Sequence, residues 1–341
     1  MKNGIAIGGS IFVDYLKQID VYPDEGMLVK IRSQGMSIGG CVGNTGISLK
    51  RLAPSMEVQT VGCIGADSAG QYVCGVYNEN GLDTSRISVL DTVPTGYTDV
   101  IAAAKTNART FFVNMGANAL FDVKHIDFDR LDMRMLHLGY ILLLEKMDSP
   151  DSEFGTVMAR ALYEAQKRGV KTSIDVVSEV SDRFRSIIPP SLKYCNYTII
   201  NEIEAGLIAG ISPRDKDGKL IWESLPVICE KIIDMGVKDH VILHCPETGI
   251  MMDSKKKWTG MRSLCLPDGY IRGSVGSGDA FCAGTLYGLY NELSPDELLR
   301  LANSAAAGCL SSEDGTGGVG TIENMMKLHE QYSVADEKWV K

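Results

Sequence analysis

The sequence has no C-x-x-C pair, no excess of positive charge and no apolar run long enough to span a bilayer. Its net charge of −9 over 341 residues argues against nucleic-acid and membrane-surface partners, because an acidic protein repels phosphate groups. We expect no secretory leader, because Met1 leads directly into a strand-like run. We therefore expect a cytoplasmic protein with neither a nucleic-acid nor a membrane partner.

The nine cysteines are scattered singly through the chain, and most lie within apolar runs such as VICEK and DAFCAG. Disulfide frameworks and zinc sites place their cysteines at short, paired spacings, which this sequence lacks. Buried free thiols in a reducing compartment are therefore the expected state.

Two common nucleotide-binding patterns are also missing where they would be expected. No G-x-x-x-x-G-K-[ST] motif occurs in the chain, which excludes an ordinary P-loop. The glycine-rich stretch RGSVGSGDAF (272–281) does not have the G-x-G-x-x-G spacing, and it lies far from the first strand–helix unit. Any phosphate site in this chain must be built in another way.

What the sequence does contain is an alternation of short apolar runs with amphipathic stretches. Strands are predicted at 4–9, 58–65, 134–141, 170–175, 197–200 and 240–244. Helices are predicted over 43–53, 69–80 and 222–235, from Ser149-Pro150 onward, from Gly278 onward and over 295–310. This alternation predicts an α/β fold with a mostly parallel sheet that helices cover on both faces.

Two segments, at about 11–38 and 93–115, lack the helical period. The second contains YTDVIAAAKTNARTFFVNM, which is typical of a hairpin that turns at Lys105-Thr106-Asn107. We expect both segments to form a small antiparallel sheet, a lid on a single domain that comprises residues 1–341.

The stretch RGSVGSGDAF is the first candidate site. If a helix begins at Gly278, the N–H groups of Gly276, Ser277, Gly278 and Asp279 point into its N-terminal opening. Free donors and the positive end of the helix dipole make such an opening suitable for an anion. The alternative is a glycine-rich turn in which Asp279 only offsets the dipole.

Three further stretches are candidates, and each has a purely structural alternative. Gly40 and Asn44 lie in IGGCVGNTGISLKRLA, where Asn44 could also be a helix N-cap. Asp14 follows the first strand, at the edge where open α/β sheets bind ligands. Asn201 and Glu204 have capping-box spacing, and they could also place a hydrated Mg²⁺.

In this order and spacing, these stretches resemble the ribokinase-like (PfkB) carbohydrate kinase family over roughly residues 3–325. The resemblance is carried by GGCVGN and GSVGSGDAFCAG, and between them by GCIGADSAG, GAN and NEIEA. It implies a ribokinase-like three-layer α/β domain with a β-sheet lid. It also implies ATP-dependent phosphorylation of a hydroxyl group of a small sugar.

The resemblance assigns a role to each candidate residue. It makes Asp279 the general base and the backbone of Gly276, Ser277 and Gly278 the anion hole. It gives the acceptor hydroxyls to Asp14, Gly40 and Asn44. It places Asn201 and Asn303 at the nucleotide and Glu204 at Mg²⁺, and homodimerisation through the lid is known among relatives.

The chain departs from the family pattern at several positions. Gly273-Ser274 replaces an Asp-Thr pair, which puts activation by a monovalent cation in doubt. His244-Cys245-Pro246 stands where relatives usually have a T-L-G turn near the nucleotide phosphates. The run DVVSE (175–179) stands where several sugar kinases have Asp-Pro-Asn. Phe12 replaces an asparagine, so a nucleoside is an alternative acceptor. A non-catalytic ligand-binding protein on the same scaffold is a further alternative.

Overall fold

The computed structural model describes residues 3–106, 108–179 and 182–334. Its strands are β1 (Ile5–Gly8), β2 (Phe12–Ile19), β3 (Ile31–Gly39), β4 (Val58–Gly65), β5 (Asp83–Leu90), β6 (Tyr97–Ala103), β7 (Ala108–Asn114), β8 (Met135–Ile141), β9 (Pro150–Asp151), β10 (Gly155–Thr156), β11 (Lys171–Val176), β12 (Tyr197–Asn201), β13 (His240–Cys245), β14 (Thr248–Asp253) and β15 (Trp258–Arg262). Its α-helices are α1 (Cys41–Leu52), α2 (Ser68–Glu79), α3 (Val157–Lys167), α4 (Phe184–Leu192), α5 (Glu202–Ala209), α6 (Ser224–Asp234), α7 (Ser277–Tyr290), α8 (Pro295–Leu310) and α9 (Ile322–Gln331).

In the described chain, nine strands form the main sheet in the order β15-β14-β13-β12-β11-β8-β1-β4-β5. The strands from β13 to β5 in that order run parallel, and β14 and β15 are added antiparallel at one edge. The predicted mostly parallel sheet is therefore confirmed.

The main sheet separates two apolar layers. In β1, Ile5 and Ile7 pack with α1, α7 and α8, whereas Ala6 between them packs in the layer of α3, α4 and α6. Successive side chains of a strand point to opposite faces, so both faces of β1 are buried. The predicted three-layer α/β fold class is confirmed.

The smaller sheet has the order β3-β2-β6-β7 among the described strands, and these strands come from the two segments without a helical period. β2–β3 and β6–β7 are antiparallel hairpins, and a parallel β2–β6 pairing joins them. The β6–β7 hairpin turns where the sequence predicts it, although Asn107 lies outside the described residues. The chain connects the smaller sheet to the main domain at two places. β2 follows β1 directly, and β3 leads into α1.

Several local predictions are wrong or incomplete. The helix expected from Ser149-Pro150 begins only at Val157, where the Thr156 hydroxyl accepts a hydrogen bond from the N–H of Ala159. Ser149-Pro150 has the residue types of a helix start, but Pro150 pairs in the short β9–β10 hairpin. The predictions also lacked β5, β14, β15, α4 and α9. Helix α4 contains Pro189 and Pro190, which obscure its pattern.

All nine cysteines are free thiols in the described structure: six are buried, Cys74 and Cys245 are half-buried, and Cys265 is exposed. Within the described residues, no helix is both long enough and apolar enough to cross a bilayer.

Candidate active site

The candidate site lies where the carboxyl ends of β8, β11, β12 and β13 face the N-terminus of α7. A cavity of about 530 Å³ opens there, and its lining includes Tyr140, Asp175, Asn201, Glu204, Gly276 and Asp279. The fold thus brings five of the predicted site residues to one cavity, namely Asn201, Glu204, Gly276, Gly278 and Asp279. Tyr140 and Asp175, which were not predicted as site residues, line it with them.

Asp279 is the most constrained side chain in this cavity. It lies in the first turn of α7 and is 7% exposed. Its Oδ2 accepts hydrogen bonds from Asn44 Nδ2 at 3.1 Å and from the Tyr140 hydroxyl at 3.0 Å. Its Oδ1 accepts one from the Thr45 hydroxyl at 3.2 Å. Burial, and then the negative charge of Asp175, raise its pKa to about 7 in spite of these donors.

Helix α1 supplies Asn44 and Thr45 from one side of this carboxyl group. The helix begins at Cys41 with Gly40 as its N-cap, so Asn44 is inside the helix and its side chain is free to reach Asp279. The capping alternative for Asn44 is therefore wrong. Gly40 has φ 85°, and a Cβ there would lie 2.4 Å from the Ser10 carbonyl oxygen, so the sharp entry into α1 requires glycine.

Tyr140 was missed because its local sequence gives only a weak signal. It is near the end of β8 with φ 58°, a left-handed conformation that an aromatic residue rarely adopts. Its N–H donates to Asp175 Oδ1, which holds the backbone there. An aromatic residue at the carboxyl end of a central strand was the available signal, but the pairing with Asp279 spans 139 residues of chain.

A buried polar group behind the cavity fixes Asp175. His137 is fully buried, and its Nε2 lies 3.1 Å from Asp175 Oδ2. Its Nδ1 lies 2.8 Å from the Ser173 hydroxyl, and the Cys282 thiol is 3.7 Å from Nε2. Both ring nitrogens are thus occupied by hydrogen-bond partners, and the histidine acts as a link between β8 and β11 that orients the acid.

The anion-hole prediction falls on the turn into α7. Gly276 is the N-cap with φ 78°, and a Cβ there would lie 2.2 Å from the Gly315 carbonyl oxygen. Glycine is therefore required by the left-handed turn and by the close approach of residue 315, rather than by open space for a phosphate oxygen. The Ser277 N–H donates to the Ser274 carbonyl at 3.4 Å, whereas Gly278 and Asp279 occupy first-turn positions whose N–H groups lack partners within a helix.

Asn201 and Glu204 form the predicted capping box at the start of α5. The Glu204 N–H donates to Asn201 Oδ1 at 2.8 Å, and the Asn201 N–H donates to Glu204 Oε2 at 3.0 Å. The Ser178 hydroxyl donates to Glu204 Oε1 at 2.7 Å. Burial raises the pKa of Glu204 to about 7, although these donors favour the charged form.

These residues fit a hydrated Mg²⁺ better than a directly bound one. Carboxylate and amide oxygens are the ligands that Mg²⁺ prefers, and it usually keeps several waters. Both carboxylate oxygens of Glu204 already accept hydrogen bonds, so it would reach the ion through water.

A second cavity, of about 610 Å³, adjoins the first through Asn201 and His244. Its wall is largely apolar and includes Phe281, Ala306 and Leu310. Asn303 also lines it, and its Nδ2 donates to the carbonyls of Met261 and Arg262 at 3.2 and 3.3 Å. The structure thus places Asn303 away from Asp279, beside a pocket of a size that a planar ligand could occupy.

His244-Cys245-Pro246 forms the end of β13 and the tight turn into β14, because Cys245 pairs with Thr248. Burial lowers the pKa of His244 to about 4, so the ring is neutral at physiological pH, and it packs 4.9 Å from the Phe281 ring. Arg214 anchors the turn through ion pairs with Glu202 at 2.7 Å and Glu247 at 2.8 Å.

Asp14 and Gly273 lie outside the lining of the two cavities. Asp14 lies on β2 in the smaller sheet, where burial raises its pKa and Thr98 provides a hydrogen bond. A Cβ at Gly39 would lie 2.6 Å from its carboxylate oxygens, so the acid packs on the entry to α1. A Cβ at Gly273 would lie 2.8 Å from the Ser312 carbonyl oxygen, which leaves no room for the family's acidic side chain.

The chain has an α/β fold, and its sequence matches a family of phosphotransferases that use an alcohol group as acceptor. More narrowly, the chain belongs to the pfkB family of carbohydrate kinases, whose family model matches residues 8–320. Ribokinase of Haemophilus influenzae is 22% identical over 332 residues, which cover 97% of this chain and 99% of that protein.

Solved structures with the same fold include a ribokinase and a nucleoside kinase. Arabidopsis thaliana ribokinase complexed with ribose and ATP has a TM-score of 0.80 and 19% identity, over 96% of this chain and 99% of that one. Methanocaldococcus jannaschii nucleoside kinase has a TM-score of 0.72 and 15% identity, over 97% of this chain and 99% of that one. At these identities, the likeness shows the fold alone.

The raised pKa of Asp279 predicts a specific effect on stability. A carboxyl group with a folded-state pKa near 7 and an ordinary value of 3.8 costs stability progressively as the pH rises between those values. Asn at this position stays neutral and can keep the contacts. Asp279→Asn should therefore gain stability over the wild type between pH 5 and pH 8, by on the order of 1–3 kcal/mol, measured by thermal unfolding. Asp24→Asn, at an exposed position, is the control, and an unchanged difference between the two pH values would contradict the assignment.

Proposed function

We propose that this protein transfers the γ-phosphoryl group of ATP to a hydroxyl group of a small sugar. The observation that carries the proposal is Asp279, a buried carboxyl group with a pKa near 7 in the first turn of α7, beside a cavity. A general base works best when its pKa lies near the working pH, because it is then both available and basic enough to take a proton.

Asp279 accepts the proton of the attacking hydroxyl in this proposal. Asn44 and Thr45 hold the carboxylate in one orientation from α1, which fixes the direction from which the hydroxyl must approach. In-line positioning is the main requirement of phosphoryl transfer, since there is little covalent chemistry for the protein to perform.

The turn of residues 276–279 faces the charge that builds on the transferred group. The first-turn N–H groups of Gly278 and Asp279 and the positive end of α7 would stabilise the γ-phosphoryl oxygens. The Ser277 N–H, which already donates to Ser274, would have to change partner to take part. Gly276 contributes by making the left-handed turn possible.

ATP would extend from this turn along the second cavity, with Asn201 near the phosphates and Asn303 beside the nucleobase. Glu204 and Asn201 would hold a hydrated Mg²⁺, which neutralises phosphate charge when bound. The filled space at Gly273 gives no support for a monovalent-cation site.

The acceptor would lie between α1 and the smaller sheet, against Asp14, Gly40 and Asn44. The sheet would then serve as a lid that excludes water. Phe12, which motivates the nucleoside alternative, is only 4% exposed and offers little surface for stacking on a nucleobase. This favours a sugar over a nucleoside. Asp279 lines a cavity and has a pKa near 7, which argues against a non-catalytic role.

A panel of sugars and nucleosides with ATP and Mg²⁺ tests the proposal through ADP release and product mass. We expect turnover with at least one sugar, and Asp279→Asn should lower it by about 10² or more, because general-base catalysis is worth roughly that much. Asp24→Asn should leave turnover unchanged. A variant Asp279→Asn that keeps over about a tenth of wild-type activity would rule out the general-base role.

Asn44→Ala separates the acceptor site from the nucleotide site. Loss of a polar contact of roughly 1–1.5 kcal/mol should raise KM for the acceptor about tenfold and leave KM for ATP within about twofold. Asn324→Ala, on the exposed face of α9, is the matched control. Equal increases in both KM values would show that Asn44 acts on the fold around Asp279 rather than on the acceptor.

We also propose a cytoplasmic location, which suits nine free thiols, and a homodimer formed through the lid. Phe111, Phe112 and Val113 on the edge strand β7 are each at least half exposed in the single chain. Exposed apolar residues on an edge strand favour pairing with another chain.

Phe111→Asp should therefore convert a dimer to a monomer, as measured by analytical ultracentrifugation. Val227→Asp, a similar change at an exposed apolar residue on α6, should leave the dimer intact. A wild-type protein that is monomeric at all concentrations would refute dimerisation.

A further inference from the structure

The Tyr140 hydroxyl occupies a position on Asp279 that the proposed function needs for its substrate. A base must have the hydroxyl that it deprotonates within hydrogen-bond reach, at about 2.6–3.2 Å. The Tyr140 hydroxyl lies 3.0 Å from Asp279 Oδ2, and both residues line the same cavity. The tyrosine thus makes the contact that an acceptor hydroxyl would make.

The backbone of Tyr140 is held in place independently of its ring. Its left-handed conformation is stabilised by the hydrogen bond from its N–H to Asp175, and Asp175 is fixed by His137. At the other end of the side chain, the hydroxyl donates its hydrogen bond to Asp279. The contact that holds the backbone of Tyr140 is therefore separate from the one that occupies Asp279.

Tyr140 is also a poor replacement for a substrate. Burial, and then the nearby charges of Asp279 and Asp175, hold its pKa well above the ordinary value. The hydroxyl therefore stays protonated and donates to the carboxylate, which keeps the phenol from becoming a nucleophile.

We propose that, in the acceptor-free enzyme, Tyr140 occupies the acceptor-hydroxyl position on Asp279 and keeps water from that position. The proposal rests on the proposed kinase function. Without the tyrosine hydroxyl, a water molecule hydrogen-bonded to Asp279 and Asn44 could attack the γ-phosphorus of ATP. The bond from the water oxygen to phosphorus would form, the bond to the ADP oxygen would break, and the proton would pass to Asp279.

The test is ATP hydrolysis without any acceptor, which requires no knowledge of the sugar. Wild type, Tyr140→Phe and Tyr163→Phe are incubated with ATP and Mg²⁺ alone, and ADP release is followed. Tyr140→Phe should hydrolyse ATP at least about fivefold faster than wild type, the equivalent of one ordinary hydrogen bond. Tyr163→Phe, far from the cavity and packed on Phe154 and Tyr194, should match the wild type.

A double variant separates this role from a general loosening of the structure. Tyr140→Phe combined with Asp279→Asn should return hydrolysis to the wild-type level, because the water then lacks its base. Thermal unfolding confirms that each variant folds. The inference is overturned by an unchanged rate in Tyr140→Phe, by fast hydrolysis that persists in the double variant, or by phosphate found on Tyr140 itself.

The pH profile provides a second readout. Among the described residues, the ionisable groups around Asp279 include Asp175 from β11, Tyr140 from β8, and the thiols of Cys41 in α1, Cys282 in α7 and Cys309 in α8. The Tyr140 hydrogen bond lowers the pKa of Asp279. In Tyr140→Phe, the acid limb of the pH profile of ATP hydrolysis should therefore move to higher pH. An acid limb that stays in place would contradict the contact.

The two levels of the proposal fail separately. If no sugar or nucleoside is phosphorylated by the wild type, the proposed function is wrong. If a sugar is phosphorylated but Tyr140→Phe hydrolyses no more ATP than the wild type, the kinase assignment stands and only the role of Tyr140 is wrong.

Discussion

The burial of a carboxyl group at the start of α7 is the constraint around which the site is built. Removing Asp279 from water raises its pKa, and the structure offsets part of that cost with donors from α1 and β8. Those donors bring α1, α7 and β8 together at one point. The positions of α1 and of the end of β8 relative to α7 therefore depend on the same carboxylate. A site of this kind lowers the stability of the fold and in return holds an acid whose pKa lies near neutral pH.

The same principle extends outward from Asp279 in successive contacts. Asp175 adds negative charge and holds the Tyr140 backbone, and His137 fixes Asp175 from the sheet. Glu204, on the other side of the cavity, is a second buried acid with a pKa near 7, held by its own capping box. The cavity therefore concentrates acids that are costly to bury, and perturbed acids in a cleft are typical of functional sites.

The main features of the fold and one local motif could be predicted because their causes are local. The alternation of apolar runs predicts the main sheet, and the Asn201–Glu204 spacing predicts a capping box that the structure contains. The predicted start of α3 was wrong because Ser149-Pro150 has the local chemistry of a helix start, and only the pairing of β9 with β10 overrides it. Thr45, Tyr140 and Asp175 were missed because their local sequence is unremarkable.

By itself, the sequence determined the order of the elements, the turn at Gly276 and the acid that follows it, since periodicity and backbone conformation act over a few residues. Only the tertiary structure decided which groups surround that acid. Asn44 and Tyr140 are 235 and 139 residues away from Asp279 in the chain. Tyr140 reaches it because β8 ends at the edge of the sheet that α7 faces, and Asn44 reaches it because α1 packs beside α7 in the same apolar layer. The raised pKa of Asp279 is also a tertiary property, because the surrounding elements together decide how far its carboxyl group is removed from water.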